Sequence, residues 1–448
     1  MRVPKYKVIV DQLADKIRSG EYPPGHKLIT HRQLSTQKGI ALVTASRVYA
    51  ELEKMGLISS EVGRGTFVKE SQIPLGHGID QAETLEGMQD LSFNSPLLAH
   101  QPKLLRDSLR ALSMSGDLES LLEYQPHAGR HYDREIVRND LIEKGLHTQT
   151  EQILMVNGAQ HGLAVSLLSL LKPGDIVAVD ALTYPGFKAL AEVQGIALIA
   201  IPYTKEGTDL EVLEQICQNR QVKAIYSMPT LHNPLGWVMS LEQRQKLIHI
   251  ARKYKLIIFE DGAYSFLEEN PPATLAQLAP DITLYISGFS KSIATGLRVG
   301  FIVSPLKWLP LLTRVIRATT WNTAGLITSL TCKWVQDGTL KQLESEKRQD
   351  ANIRQKIARN VFFDMDYTSH PNSYFLWLSL PKALRTDQLI ASLLAQNISV
   401  SGAEPFATTG FTPHAIRLAL ASIKLEMLET CLIKVKETIE LHAYGKGF

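Results

Sequence analysis

Seven short apolar runs mark the chain between residues 152 and 304: QILMVNG, IVAVD, ALIAIP, AIYSMP, LIIFED, TLYISG and VGFIVS. Helical patterns such as LEQRQKLIHIARKY separate several of them. Strands that are apolar throughout, rather than alternating, are buried on both faces. With crossover helices between them, they predict an α/β domain built on a mostly parallel sheet. Ligands of such sheets sit beyond the carboxyl ends of the strands. The polar residues that end these runs are therefore the candidates for chemistry. From about residue 345, SYFLWLSLP and SVSGAEPF read as a smaller C-terminal α+β domain that closes over the ligand, with Phe406 near a side-chain pocket.

Gly158 follows the first run and opens a helix, where free amides and the helix dipole favour a phosphate; it also suits a plain turn. Tyr184 either lies flat on an aromatic ligand or packs. Asn233 precedes Pro234 and Gly236, and either caps that stiff turn or faces a ligand. Asp261 is a charge at a sheet edge or the partner of a buried cation. Lys291 follows Ser290, and Arg298 lies seven residues on.

Taken together these residues match one chemistry. An aldehyde cofactor needs an amine, and Lys291 supplies it. A pyridine nitrogen that stays protonated needs a carboxylate, Asp261. Asn233 and Tyr264 can donate to a ring oxygen, and Tyr184 can cover the ring face. Gly158, Ala159 and Arg298 can hold a phosphate.

The first 70 residues differ in kind. They carry 12 Lys/Arg against 7 Asp/Glu, a balance of +5, while the remainder holds 36 against 38. A basic head on a near-neutral body suggests a polyanion partner for the head. Tyr6, Ile9, Leu13 and Ile17 recur at helical spacing; Thr30 can cap a second helix that stops at Gly39; a third runs from about Ala41 to Met55. Its apolar stripe is Ala45, Val48, Leu52 and Met55, and its opposite face carries Thr44, Ser46, Arg47, Ala50 and Lys54. SSEVGRGTFVK predicts a hairpin tipped by Arg64. This is a winged helix-turn-helix order, with the third helix reading the major groove and Arg64 the minor groove. A helical protein-interaction module is the other reading. Residues 71–92 are polar, without apolar period, and read as a tether to an effector domain over 93–448.

SGEYPPGHKL, HRQLS, TASRVYAELEKMGLI and GRGTFV together resemble the head of a GntR-type regulator. The resemblance implies DNA contact by Arg32. It departs where such heads carry Ser-Arg and this chain has Ala41-Leu42, which shifts base reading toward Arg47. Residues 90–448 resemble the fold-type I aminotransferases, which implies pyridoxal phosphate at Lys291. Within that resemblance YQPHAG implies that Tyr124 reaches a phosphate across a dimer interface, and AIRLALA implies that Arg417 grips a substrate α-carboxylate. Two hydroxyl positions of that family are Ala159 and Gly288 here, and Ser287 or Ser290 are the residues to compensate. The two halves joined resemble the MocR subfamily of transcription regulators. That implies a symmetric homodimer on operator DNA in which a Schiff base at Lys291 senses an amino compound or the cofactor itself. The alternative is a working aminotransferase with an accessory head.

No apolar run approaches the roughly 18–20 residues that span a bilayer, and MRVPKYKVIVDQ lacks a signal-peptide core. Cys217, Cys332 and Cys431 show neither pairing nor metal-ligand spacing. A cytoplasmic protein with reduced thiols, no metal and no membrane partner is expected.

Overall fold

The computed structural model describes residues 5–444, apart from 19–20, 24–25, 55–56, 62–64, 69–86, 115–117, 205, 382–383 and 410–411. The chain divides into two units, residues 1–82 and 83–448.

In the first unit, α1 (Lys5–Arg18), α2 (His31–Lys38) and α3 (Leu42–Lys54) precede an antiparallel pair, β1 (Ile58–Glu61) and β2 (Gly65–Val68). Thr30 caps α2: its hydroxyl accepts from Gln33 N, and Gln33 Oε1 accepts from Thr30 N at 2.8 Å. Gly39 ends α2 at φ 59°, a left-handed conformation that favours glycine. The expected stripe of α3 is buried at Ala45, Val48 and Leu52, and Tyr49 joins it. In α1, Ile9 and Leu13 are buried as expected, together with Val10 and Ala14. Met55, Gly63 and Arg64 lie outside the described residues.

In the second unit all seven apolar runs become strands of one sheet. They are β4 (Ile153–Val156), β5 (Ile176–Asp180), β6 (Ala197–Ile201), β9 (Val222–Ser227), β10 (Ile257–Asp261), β11 (Thr283–Gly288) and β12 (Gly300–Val303). Between β6 and β9 lies a small ribbon, β7 (Tyr203–Thr204) and β8 (Gly207–Thr208). The sheet order is β4-β12-β11-β10-β9-β5-β6. Its pairs are parallel except those of β12, which runs antiparallel to β4 and β11. β12 therefore begins at the edge where its neighbours end. That brings the residues just before β12 to the carboxyl ends of β4 and β11. Asp209 and Ser240 cap the crossover helices Leu210–Asn219 and Leu241–Lys253.

The smaller sheet contains β13 (Tyr367–Ser369), β14 (Phe375–Ser379), β15 (Ile398–Gly402) and β16 (Ala415–Ala419). With β3 (Gln89–Leu91) at its edge, the order is β13-β14-β16-β15-β3. The edge strand β3 pairs parallel to β15. This corrects the expected tether of 71–92: Gln89 to Ser92 belong to the body. Leu91 is fully buried beside Ile398 and Val400, an anchor too short to show periodicity in sequence. The long helix Thr339–Val361 leads into this sheet.

Candidate functional site

The carboxyl ends of β4, β10 and β11 and the start of β12 converge. Gly158 opens the helix Gly158–Leu170 at φ 81°, and a Cβ placed on it would lie 2.8 Å from Arg298 Nη2. Only hydrogen leaves the guanidinium this room. Arg298 Nη1 donates to Ser290 Oγ at 3.2 Å and Nη2 to Asn157 O at 3.5 Å. The backbone of Gly158 and Ala159, with Ser290 Oγ and the Arg298 cation, thus forms one electropositive cradle. The missing hydroxyl at Gly288 has a steric cause: a Cβ there would meet Val299 O at 2.9 Å and Gly300 Cα at 3.0 Å. Ser290 joins the cradle, whereas Ser287 Oγ donates to Gly262 O at 3.1 Å and is spent on the backbone.

Asp261 ends β10 and is 2% exposed. It accepts from Tyr226 Oη at 2.7 Å and from Ala263 N at 2.9 Å. Burial raises its carboxyl above the ordinary range, against the lowering effect of those two donors. Both donors are neutral, so a buried anion here still calls for a cation. Burial also raises the Tyr184 hydroxyl; the Asp261 charge adds to this, and Arg298 and Arg417 oppose it. One phenol therefore senses three charges that lie far apart in the sequence. Tyr264 is buried, its ring edge-on to Phe375, and Lys291 Nζ stands 5.8 Å from its ring centroid. Lys291 Nζ donates to Asn94 O at 2.6 Å.

Arg417 lies on β16 and is 6% exposed, with its guanidinium 5.0 Å from the Phe406 ring centroid. It donates to Ser92 O through Nη2 and to Asn233 Oδ1 through Nη1, the latter at 3.4 Å. Its Nε has no hydrogen-bond partner among the described residues. Burial lowers its pKa from the ordinary arginine range. A buried guanidinium held by a carbonyl and an amide, with its Nε–H unused, has the donor set for a carboxylate. Tyr124 is 87% exposed and packs on Trp321, with centroids 5.8 Å apart; no contact joins it to this cluster among the described residues.

Sequence reasoning missed Tyr226, Ser92, Asn94 and Lys347. Lys347 Nζ is buried and donates to Lys291 O at 3.1 Å and Ile293 O at 2.6 Å. Tyr226 carried a signal: a hydroxyl in a strand buried at every residue but Lys223 must find a partner. Lys347 carried a weaker one: it lies four residues from both Leu343 and Ala351 on the buried stripe of its helix, although SEKRQD reads as a solvent face.

In the head, Arg32 is exposed on α2 and Thr44 half-buried on α3. Ser46 faces inward, its Oγ 3.2 Å from His31 Nδ1 on α2. The Arg47 guanidinium lies 4.2 Å from the Tyr6 ring centroid on α1. The outward face expected for α3 is thus partly spent on its neighbours, and Leu42 and Val43, 47% and 81% exposed, stand at its start.

Residues 86–435 match the family profile described as Aminotransferase class I and II. The chain belongs to that family. Residues 5–68 match the profile described as Bacterial regulatory proteins, gntR family. A GntR helix-turn-helix followed by an aminotransferase body is the fused, MocR-like architecture. Among similar proteins is the uncharacterized HTH-type transcriptional regulator YdeF of Bacillus subtilis, 28% identical over 98% of this chain and 95% of that protein. The 2-aminoadipate transaminase of Thermus thermophilus is 26% identical over 74% of this chain and 84% of that enzyme. The structure of LysN, an α-aminoadipate aminotransferase of Thermus thermophilus, superposes with a TM-score of 0.72 at 24% identity. It covers 80% of this chain and 95% of that one, and was solved complexed with N-(5'-phosphopyridoxyl)-L-leucine. The body therefore has the fold of this aminotransferase family. Among the described residues no helix is long and apolar enough to cross a membrane.

Proposed function

We propose that this chain is a transcription regulator that binds operator DNA through residues 1–70 and senses an amino compound at a pyridoxal phosphate site in its body, residues 93–448. The observation that carries the reading is a pair of buried charges, Asp261 and Arg417, without ion-pair partners among the described residues. The charges of both reach the buried Tyr184 hydroxyl, in the same chain as a GntR head. The donor set fits the cofactor: an amine, an uncompensated buried carboxylate and an electropositive cradle that a Cβ on Gly158 would fill. When bound, pyridoxal phosphate supplies an aldehyde for amines and an electron-withdrawing ring.

The chain's own residues do the rest. Lys291 Nζ holds the cofactor. Arg298, Ser290 and the Gly158 and Ala159 amides bind its phosphate. Asp261, oriented by Tyr226, keeps a proton on the ring nitrogen. Asn233 and Tyr264 donate to the ring oxygen, Tyr184 covers the ring, and Arg417 receives a carboxylate. In a homodimer, the exposed Tyr124 would complete the neighbouring copy's phosphate site. Arg32, Thr44, Arg47 and Arg64 remain the proposed DNA contacts, with phosphate positioning assigned to the arginines. Reduced thiols fit a cytoplasmic regulator.

The test is selection of genomic fragments by the full chain at stated salt, with and without pyridoxal phosphate. We expect enrichment of regions with repeated half-sites. Binding that is indifferent to sequence would end the regulator reading. In parallel, borohydride trapping and mass measurement should find the cofactor on Lys291 and none on Lys291→Ala. The second reading, an active aminotransferase, is favoured by the full set of site residues and by the transaminase relative. Steady turnover of an amino donor with a keto acid, lost in Lys291→Ala, would support it.

A further inference from the structure

The chain passes from the head into the body through β3, and the next four residues, Ser92 to Ser95, form a strap against the site. Three consecutive carbonyls of this strap accept hydrogen bonds. Ser92 O accepts from Arg417 Nη2 and, at 3.2 Å, from Ser401 Oγ. Phe93 O accepts from Ser422 Oγ at 2.5 Å. Asn94 O accepts from Lys291 Nζ at 2.6 Å. Side bonds complete the anchorage: Ala421 N donates to Asn94 Oδ1 at 3.3 Å, and Ser95 N to Ser422 Oγ at 3.0 Å. The two cations that hold the strap are the two groups that a carboxylated amine and an aldehyde cofactor would claim.

We propose that this strap reports site occupancy to the head: a ligand carboxylate displaces the Ser92 carbonyl from Arg417, and the loosened strap alters the chain that leads back to the DNA-binding domain. The inference rests on the proposed function and names its regulation. The exchange has a stated direction. A carboxylate carries full charge and two acceptor oxygens, so it outcompetes a backbone carbonyl for a guanidinium. The displaced Ser92 O keeps Ser401, so release does not leave it bare. A ligand shifts the heads only through a difference in affinity between two arrangements, and here that difference is the bond between Arg417 and its carboxylate. Amines without a carboxylate would occupy the site and leave the strap in place. The effector is thereby assigned to the class of amino acids rather than simple amines.

Two reduced adducts test this without knowing the effector: N-(5'-phosphopyridoxyl)-L-alanine and N-(5'-phosphopyridoxyl)-ethylamine. They differ by the carboxylate alone, and both leave the Lys291 amine uncombined. Hydrogen exchange on the full chain reads the peptide covering 88–96. We expect the alanine adduct to speed exchange there about fivefold over the ethylamine adduct. In Arg417→Gln the two adducts should give equal rates. On an operator fragment from the selection above, the alanine adduct should shift the DNA Kd at least threefold relative to the ethylamine adduct. Equal exchange with both adducts bound would overturn the strap and leave the cofactor site standing. Faster exchange with an unchanged Kd would overturn its link to the head. If neither adduct binds, the site reading itself falls, and the inference with it.

Discussion

The head and the body keep their functional groups in opposite ways. In the head, Arg32, Leu42 and Val43 stand in solvent, and α3 is held by a hydrogen bond between Ser46 and His31 and by the stack of Arg47 on Tyr6. In the body, Asp261 and Arg417 are nearly inaccessible, and hydrogen bonds tie each in place. A partner as charged as DNA needs no preformed pocket, since phosphate attraction acts at the surface and each contact adds a little. A small ligand must gain its affinity from few groups, so those groups are desolvated beforehand and carry more each. Single substitutions should therefore have large effects in the body and small ones in the head.

The largest effect belongs to Asp261→Asn. The change keeps shape and removes the charge that a protonated ring nitrogen needs. Breaking one partner of a buried ion pair costs on the order of 3–5 kcal/mol. We expect pyridoxal phosphate affinity to fall at least about 100-fold, read by fluorescence titration, with DNA binding by the cofactor-free chain unchanged. Tyr226→Phe should fall only about five- to tenfold, since it removes one hydrogen bond of about 1–1.5 kcal/mol. A drop under threefold for Asp261→Asn would remove it from cofactor binding and erase the contrast at its strongest point.

The same contrast explains what sequence could show. The large sheet was legible because strands buried on both faces are mostly apolar, and all seven runs form it, with the edge strand β6 the least buried. Asp261, Asn233, Lys291 and Arg298 were legible because each stands where an apolar run ends or begins. Ser92 and Asn94 were not, because they act through backbone carbonyls that every residue possesses. Lys347 was not, because its place on the stripe of Leu343 and Ala351 is obscured by the charged residues around it. In α3 the pattern gave the buried stripe but not the use of the remaining faces: Ser46 and Arg47 look outward on a helical wheel until α2 and α1 pack beside them. Periodicity defines one face against a core. It is blind to polar contacts between neighbouring helices.

A middle-sized effect is expected at Lys347. Burial, with the Lys291 charge nearby, lowers its pKa from 10.5 to about 7. A neutral amine has two hydrogens, which match its two acceptors, Lys291 O and Ile293 O. In the unfolded chain the amine stays protonated up to about pH 10.4. Between about pH 7 and that value the unfolded state binds more protons, so stability rises with pH, by up to about 1.4 kcal/mol per unit. Lys347→Met lacks this slope. Urea midpoints at pH 7, 8 and 9 should climb more steeply for the parent than for the variant. Parallel lines would show that Lys347 stays charged in the folded body, and that burial there is less severe than the geometry indicates.

The smallest effects sharpen the comparison from the side of the head. Arg32 is exposed on α2, where a cation contributes by releasing counterions from DNA. Arg32→Ala should weaken binding to every sequence alike and flatten the slope of log affinity against log salt by roughly 0.9. Ser46→Ala should change affinity less than about twofold, because one hydrogen bond, here made to His31 rather than to a base, contributes only about 1 kcal/mol to the fold. Both are read by fluorescence anisotropy on an operator fragment at several salt concentrations. A loss at Ser46 confined to one base-pair position would mean that the hydroxyl leaves His31 to read that base. The head would then rearrange on DNA, and its groups would be less free-standing than the contrast with the body supposes. A loss at Arg32 that depends on sequence rather than salt would mean that α2 reads bases as well as phosphates.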